Sequence, residues 1–152
     1  MTMVKIEDIA AWCGQQGERL TPTRRMVLSI LRSEKQAMTA YQLLELLQKE
    51  QPQAKPPTIY RALEFLQRMG LIHRIDSRNA FIACDDFPHR HDSAFLLCQD
   101  CGQVTELNLD EHLKAVMAQA EAESFQVAHA TIELRGSCQR CQKTIDKSSL
   151  HH

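Results

Sequence analysis

Two Cys-x-x-Cys pairs constrain the second half of this 152-residue chain more than any other feature. One pair is Cys98 with Cys101 and the other is Cys138 with Cys141. Four thiolates at this spacing are the ligands of a closed tetrahedral zinc site, which adds rigidity rather than chemistry. The 36 residues between the pairs exceed the usual zinc-ribbon spacer, so an intervening helix and strand must bring the pairs together. An iron–sulfur cluster is the competing use of four thiolates.

A second, mixed set of metal ligands lies where two differently built halves of the chain meet: His73, Cys84, His91 and Glu106. Two imidazoles, a thiolate and a carboxylate carry a charge of −2 and complete a tetrahedron, which leaves no vacancy for a reactive water. This donor set therefore favours metal sensing over hydrolysis, and the sulfur of Cys84 favours zinc over iron(II) or manganese. Taken singly, each histidine or the glutamate is more often an ordinary surface residue.

Composition predicts a cytoplasmic protein without a membrane partner. No stretch approaches the roughly 20 apolar residues that span a bilayer, and the N-terminus lacks the pattern of a signal peptide. Six cysteines in a reducing compartment indicate metal ligands rather than disulfides. Cys13 is the exception, because it falls on the apolar side of a predicted helix and is expected to be a small core residue.

Charge is divided unevenly along the chain. Residues 1–84 contain 12 Lys and Arg against 8 Asp and Glu, whereas residues 85–152 contain 6 against 11. The asymmetry is a modest indication that the first half binds a polyanion. The alternative is two solvated surfaces that happen to differ.

The first half has the pattern of a row of short helices. A helix near the N-terminus ends at Gly14 and Gly17, a second begins with Thr21 as cap and Pro22 in its first turn, and a third begins at Thr39. Apolar residues at helical spacing predict the buried positions of these three helices: Ile6, Ile9, Ala10 and Cys13; Met26, Val27, Ile30 and Leu31; Leu43, Leu46 and Leu47.

The helix after Pro56 and Pro57 has the form of a DNA-recognition helix. Its apolar residues predict one buried face and leave Thr58, Tyr60 and Arg61 facing outward. Arginine can bind the O6 and N7 acceptors of guanine, and tyrosine can contact a thymine methyl or a phosphate. An ordinary amphipathic helix with a solvated face is the alternative.

A hairpin follows, with strands at 71–75 and 80–84 joined by a turn at 76–79. Helices followed by a hairpin predict a winged helix. Pairing Ile75 with Ala80 places His73 opposite Ile82 and makes Cys84 its diagonal neighbour on the same face, roughly 7 Å away. Since a slip by one residue would put the two ligands on opposite faces, this register tests the second metal site.

The second half has the pattern of a small α/β unit that follows a polar hinge. The predicted elements are strands at 94–98 and 103–107, a helix with the apolar residues Leu109, Leu113, Val116, Met117 and Ala120, and a strand at 127–134. This unit has little core of its own, so we expect it to dimerise through its sheet.

These elements predict an α+β fold in which an N-terminal winged-helix DNA-binding domain is joined by a hinge to a C-terminal α/β dimerisation domain. The expected boundaries are 1–84 for the winged helix, 85–92 for the hinge, 93–145 for the zinc-containing dimerisation domain and 146–152 for a flexible tail.

Four motifs together resemble the ferric uptake regulator family of bacterial metalloregulators, over about residues 1 to 145. They are the segments 19–25 and 57–63 and the two Cys-x-x-Cys pairs. Within the family, the sequence around the recognition helix and the cysteine at the end of the wing look most like the zinc-responsive members. Iron-sensing members carry a denser histidine cluster before the first Cys-x-x-Cys, whereas this chain has only His89 and His91 there.

The resemblance implies a homodimeric repressor that binds AT-rich palindromic operators of zinc-acquisition genes when zinc is bound. It implies two zinc ions per subunit, with the four cysteines structural and the His73, Cys84, His91 and Glu106 set sensing. The implied partners are double-stranded operator DNA and a second copy of the chain, with no small organic substrate and no enzymatic activity. His89 with His129 is a candidate third metal site. The alternatives are an iron- or peroxide-responsive regulator of the same family, a small zinc hydrolase, and a zinc-stapled adaptor protein.

Overall fold

The computed structural model describes residues 4–34, 36–84, 87, 93–109, 111–128 and 130–143. The chain divides into two compact units, Met1–Arg90 and His91–His152. The fold is mixed helix and sheet, in agreement with the predicted α+β class. Within the described residues, none of the helices combines the length and apolar character needed to cross a membrane.

Four helices form most of the first unit: α1 (Ile6–Gln15), α2 (Pro22–Ser33), α3 (Ala40–Glu50) and α4 (Pro56–Arg68). The predicted caps are confirmed. The Thr21 hydroxyl accepts a hydrogen bond from the Arg24 N–H at 3.3 Å. Thr39 and Gln42 form a reciprocal capping box, with hydrogen bonds of 2.9 and 3.2 Å. The sequence therefore specifies where these two helices begin.

A three-stranded sheet completes the first unit, in the order β1 (Met38–Thr39), β3 (Ala80–Ala83) and β2 (Ile72–Ile75). The predicted register is confirmed, because Ile75 pairs with Ala80 and His73 pairs with Ile82. A short 3-10 turn links β2 to β3, and Asn79 closes it with a φ of 47°. Asparagine tolerates this left-handed conformation better than most residues, which explains its position there.

The core of the first unit is built around α4, which buries Ile59, Ala62, Leu63, Phe65 and Leu66. Cys13 is fully buried, as predicted. Leu28 is also buried on α2, although the predicted stripe of that helix did not include it. Of the predicted hinge at 85–92, the structure describes Phe87, whose ring packs edge-on against Trp12 with centroids 4.7 Å apart.

The described part of the second unit contains a three-stranded sheet, a helix between its second and third strands in sequence, and helical residues at 139–143. The sheet order is β5 (Val104–Asn108), β4 (Ser93–Cys98) and β6 (Ile132–Gly136), with α5 (Lys114–Ala122) between β5 and β6 in sequence. The central strand β4 runs antiparallel to β5 and parallel to β6. The two strands predicted on either side of the first Cys-x-x-Cys pair are confirmed.

Two predictions for this unit were wrong in detail. The helix begins only at Lys114, so the predicted positions Leu109 and Leu113 lie before it. The last strand begins at Ile132 instead of 127. In the parallel ladder with β4, the first paired residue of this strand is Ile132, which lies opposite Ala94.

Candidate metal centres and nucleic-acid interface

The four cysteines of the second unit converge on one point. Cys98 ends β4, Cys101 lies in the turn before β5, and the other pair follows β6, which is the parallel neighbour of β4. All four sulfur atoms lie within 4.8 Å of one another, and the Cys101 and Cys138 sulfurs are 3.8 Å apart. The sheet order therefore explains how cysteines separated by 36 residues meet, since it places the ends of two parallel strands side by side.

Backbone hydrogen bonds hold this four-cysteine cluster in shape. The Cys138 N–H donates to the Cys98 sulfur at 3.3 Å, and the Gln99 N–H donates to the Gly136 carbonyl at 2.8 Å. Gly102 allows the tight turn because it adopts a φ of 81°. Four sulfur donors with N–H donors around them fit a tetrahedral zinc ion.

The environment separates the acidities of these thiols. The Cys138 and Cys101 N–H groups stabilise the Cys98 thiolate and lower its pKa to about 6. The Gln103 N–H lowers the pKa of Cys101 as well. Cys141 shows the opposite effect, because sharing hydrogen bonds with neighbouring sulfurs, above all Cys138, raises its pKa to about 12. A divalent ion bound by these sulfurs would favour the thiolate form of each ligand and displace the protons that they hold.

Arg140 is a member of this cluster that sequence reasoning missed. Its guanidinium hydrogen-bonds the Cys101 sulfur, and this interaction raises the pKa of Arg140 above its ordinary value. The residue lies inside the second Cys-x-x-Cys motif, so its position between two ligands was the available signal. Its positive charge partly offsets the negative charge of a tetrathiolate site.

Two ligands of the predicted sensing site lie together in the wing. His73 is on β2 and Cys84 follows β3 directly, where its N–H donates to the Leu71 carbonyl at 3.0 Å. Their ligand atoms are within 4.8 Å of each other, and both side chains are half-buried. The confirmed hairpin register is what puts the imidazole and the thiol on one face.

Glu106 is on β5 of the second unit, where it pairs across the ladder with Phe95. The hydroxyl of Ser93 donates a 2.7 Å hydrogen bond to Glu106 Oε1. The remaining predicted ligands, His91 of the sensing site and His89 and His129 of the third site, lie outside the described residues. The third site stays a prediction.

The predicted DNA-contacting residues lie on α4 as expected from its periodicity. Tyr60 is 57% exposed and Arg61 is also exposed, whereas Thr58 is half-buried. The Lys55 N–H approaches the Thr58 hydroxyl oxygen at 3.5 Å, which orients that side chain toward the start of the helix. Because Pro56 and Pro57 supply no N–H groups, the first turn of α4 presents mainly its side chains as hydrogen-bonding groups.

A model of the ferric uptake regulator family matches residues 15–135. This chain belongs to the ferric uptake regulator family. Two of its relatives differ in their sequence identity to this chain. The zinc uptake regulation protein of Escherichia coli (strain K12) is 40% identical over 131 residues, which cover 85% of this chain and 76% of that protein. The peroxide-responsive repressor PerR of Staphylococcus aureus (strain USA300) is 26% identical over 141 residues, covering 91% of this chain and 92% of the repressor.

A solved structure of a zinc uptake regulator complexed with zinc and DNA matches with a TM-score of 0.87 at 35% identity. The match covers 94% of this chain and 99% of that one. Within the ferric uptake regulator family, the chain is therefore more similar to these zinc uptake regulators than to the peroxide-responsive repressor. This order of similarity confirms the expectation drawn from the recognition helix and the wing cysteine.

Proposed function

We propose that this protein is a zinc-responsive transcriptional repressor that binds operator DNA as a zinc-loaded homodimer and controls zinc-uptake genes. The observation that carries the proposal is the pairing of His73 with Cys84, within 4.8 Å of each other, on the wing of a winged helix whose α4 exposes Tyr60 and Arg61. Metal ligands in a DNA-reading unit are expected when metal binding controls DNA binding.

The roles proposed for the segments of the chain follow the boundaries expected from the sequence. Residues 1–84 bind DNA, 85–92 form a hinge, 93–145 form the dimerisation domain and 146–152 form a tail. A protein that acts on operator DNA would work in the cytoplasm. Since four side chains complete each proposed zinc tetrahedron, we assign the protein no catalytic step and no organic substrate.

Two zinc ions per subunit are proposed, one at each ligand set. Cys98, Cys101, Cys138 and Cys141 would hold the structural ion, for which the shared position of their sulfurs is the support. His73 and Cys84 from the wing, with His91 and Glu106, would hold the sensing ion. The Cys84 sulfur at the second set favours zinc over iron(II), which separates this proposal from an iron- or peroxide-responsive regulator.

Zinc bound by His73, Cys84, His91 and Glu106 would link ligands from both sides of the proposed hinge. His73 and Cys84 then orient the winged helix of each subunit, so that both α4 helices of a dimer can enter successive major grooves, roughly 34 Å apart. If about 1% of zinc-free dimers have a competent orientation, fixing it in all of them tightens operator binding about a hundredfold, or roughly 2.7 kcal/mol of coupling. By reciprocity, operator DNA tightens zinc binding to the same extent.

The homodimer is proposed to form through the second unit. That unit buries few large side chains in its described part, while Val116, Phe125 and Leu134 are 56, 66 and 53% exposed. Apolar groups at this exposure gain free energy when a second copy covers them. The strands β5 and β6 are also the edges of its sheet, and an edge strand can pair with another chain.

The test is an operator-binding titration at buffered free zinc, with wild-type protein, Cys84→Ser and the matched control Cys13→Ser. All proteins should retain the structural ion, which is measured by elemental analysis. We expect wild type and Cys13→Ser to bind operator about a hundredfold more tightly when zinc is available. Cys84→Ser should lose most of this response, because a serine hydroxyl is a poor zinc ligand. Equal operator affinity of wild-type protein at low and high free zinc would refute the proposal.

A further inference from the structure

Ser93 is a buried polar residue in the described part of the second unit, with 8% of its surface exposed. It is the first residue of β4, and its hydroxyl donates a hydrogen bond of 2.7 Å to Glu106 Oε1 on β5. The β4–β5 register explains the contact. Ser93 pairs with Asn108 and Phe95 pairs with Glu106, so Ser93 and Glu106 are diagonal neighbours on the same face of the sheet.

We infer that Ser93 is the positioning residue for Glu106, and that its hydroxyl sets how tightly the protein binds zinc at the sensing site. The inference rests on the proposed function, since it takes Glu106 as a ligand of the sensing ion. A hydrogen bond of this length from a hydroxyl to a carboxylate is among the stronger ones in proteins. Ser93 has a single hydroxyl proton, and the structure commits it to Glu106.

The physical role of this hydrogen bond is to restrict the Glu106 side chain before metal arrives. A free glutamate side chain loses rotamer entropy when it is fixed. Phe95, directly opposite Glu106, has no polar side-chain atom that could share the task. A carboxylate held in one orientation by Ser93 therefore binds an ion without paying that entropy again, which is how groups that support metal ligands raise affinity.

The inference is tested with zinc titrations of the homodimer that already carries its structural ions. A chelator of known affinity competes for the sensing ion, and the proteins are wild type, Ser93→Ala, Ser93→Thr, Glu106→Gln and the double variant Ser93→Ala with Glu106→Gln. The matched control is Thr105→Ala, which removes a strand hydroxyl next to Glu106 on the opposite face of β5. Zinc content at the four-cysteine site and the unfolding temperature are measured in parallel.

We expect Ser93→Ala to weaken zinc binding at the sensing site roughly tenfold to a hundredfold, while Ser93→Thr, which keeps a hydroxyl, stays within a few-fold of wild type. Thr105→Ala should have no effect. In the Glu106→Gln background, Ser93→Ala should cause little further loss, because the two residues act as a unit.

The outcomes separate the inference from the proposal beneath it. Wild-type zinc affinity in Glu106→Gln would remove Glu106 from the sensing site and overturn both. If Glu106→Gln weakens zinc binding at the sensing site and Ser93→Ala leaves it unchanged, the role of Ser93 alone is overturned. An equal loss from Ser93→Ala in both backgrounds would show that Ser93 supports the fold rather than Glu106, and would also overturn it.

Discussion

Breaking the four-cysteine site should release strand β6 from its sheet. The double variant Cys138→Ser and Cys141→Ser would remove the proposed metal link between the chain after β6 and the turn after β4. That link closes a segment between Cys101 and Cys138, which are 37 positions apart. In the chain-entropy account of cross-links, closing a segment of this length stabilises the folded state by about 4 kcal/mol.

Apart from the proposed metal link, β6 is held mainly by its parallel ladder with β4. Leu134, at the centre of the strand, is 53% exposed, and β6 lies at the edge of the sheet with β4 as its neighbour. Hydrogen bonds such as that from the Gln99 N–H to the Gly136 carbonyl each contribute only about 1 kcal/mol net. The stabilisation expected from the cross-link is therefore as large as that of several such hydrogen bonds.

Amide hydrogen exchange measures this effect directly. A loss of about 4 kcal/mol corresponds to nearly a thousandfold faster exchange when exchange proceeds through opening of the strand. Peptides covering β6 should show this acceleration in the double variant, whereas peptides covering β3 in the first unit should not change. Cys13→Ala is the control for loss of a thiol that binds no metal. Unchanged β6 exchange in a double variant that has lost its structural zinc would refute the reasoning.

Three further predictions concern DNA contact, proton release and helix capping. Arg61→Ala should reduce discrimination between operator variants by about 1–3 kcal/mol per half-site, as fluorescence anisotropy will show. Lys55→Ala removes an exposed positive charge at the start of α4, so it should weaken binding to all sequences alike and lower the salt dependence of binding. Zinc loading of the four-cysteine site at neutral pH should release fewer than four protons, because a pKa of about 6 leaves Cys98 already ionised. The number of protons released should rise as the pH falls below that pKa, and an indicator dye measures the release. Thr39→Ala removes the α3 capping box and should lower the free energy of unfolding by about 1 kcal/mol in urea titrations.

The wing could be predicted from sequence down to its register because two local signals agree there. The turn residues at 76–79 fix the length of the connection, and the apolar pattern fixes which side chains face the core. The place of His73 opposite Ile82 follows from these signals alone. In the same region β1 was missed, since two residues, Met38 and Thr39, are too short to show a period.

Features that depend on contacts between distant elements are harder to predict from the sequence. The start of β6 is defined by its parallel pairing with β4, which begins at Ile132 opposite Ala94, and the apolar pattern of residues 127–131 does not indicate it. The apolar spacing around α5 predicts a stripe but not the surface that covers it, and Val116 is exposed in the single chain. The hydrogen bond between Ser93 and Glu106 requires the β4–β5 register, which the sequence pattern does not specify to one residue.

The cysteines show that surroundings, rather than residue type, decide what a thiol does in this protein. Cys13 is fully buried among apolar side chains, and burial raises its pKa, so it remains a neutral packing residue. Cys98 is also buried, yet N–H groups directed at its sulfur lower its pKa to about 6 and suit it to metal binding. Burial alone therefore does not separate a structural thiol from a ligand. What separates them is whether hydrogen-bond donors and further ligands converge on the sulfur, and in a strand-rich unit such convergence follows from sheet order.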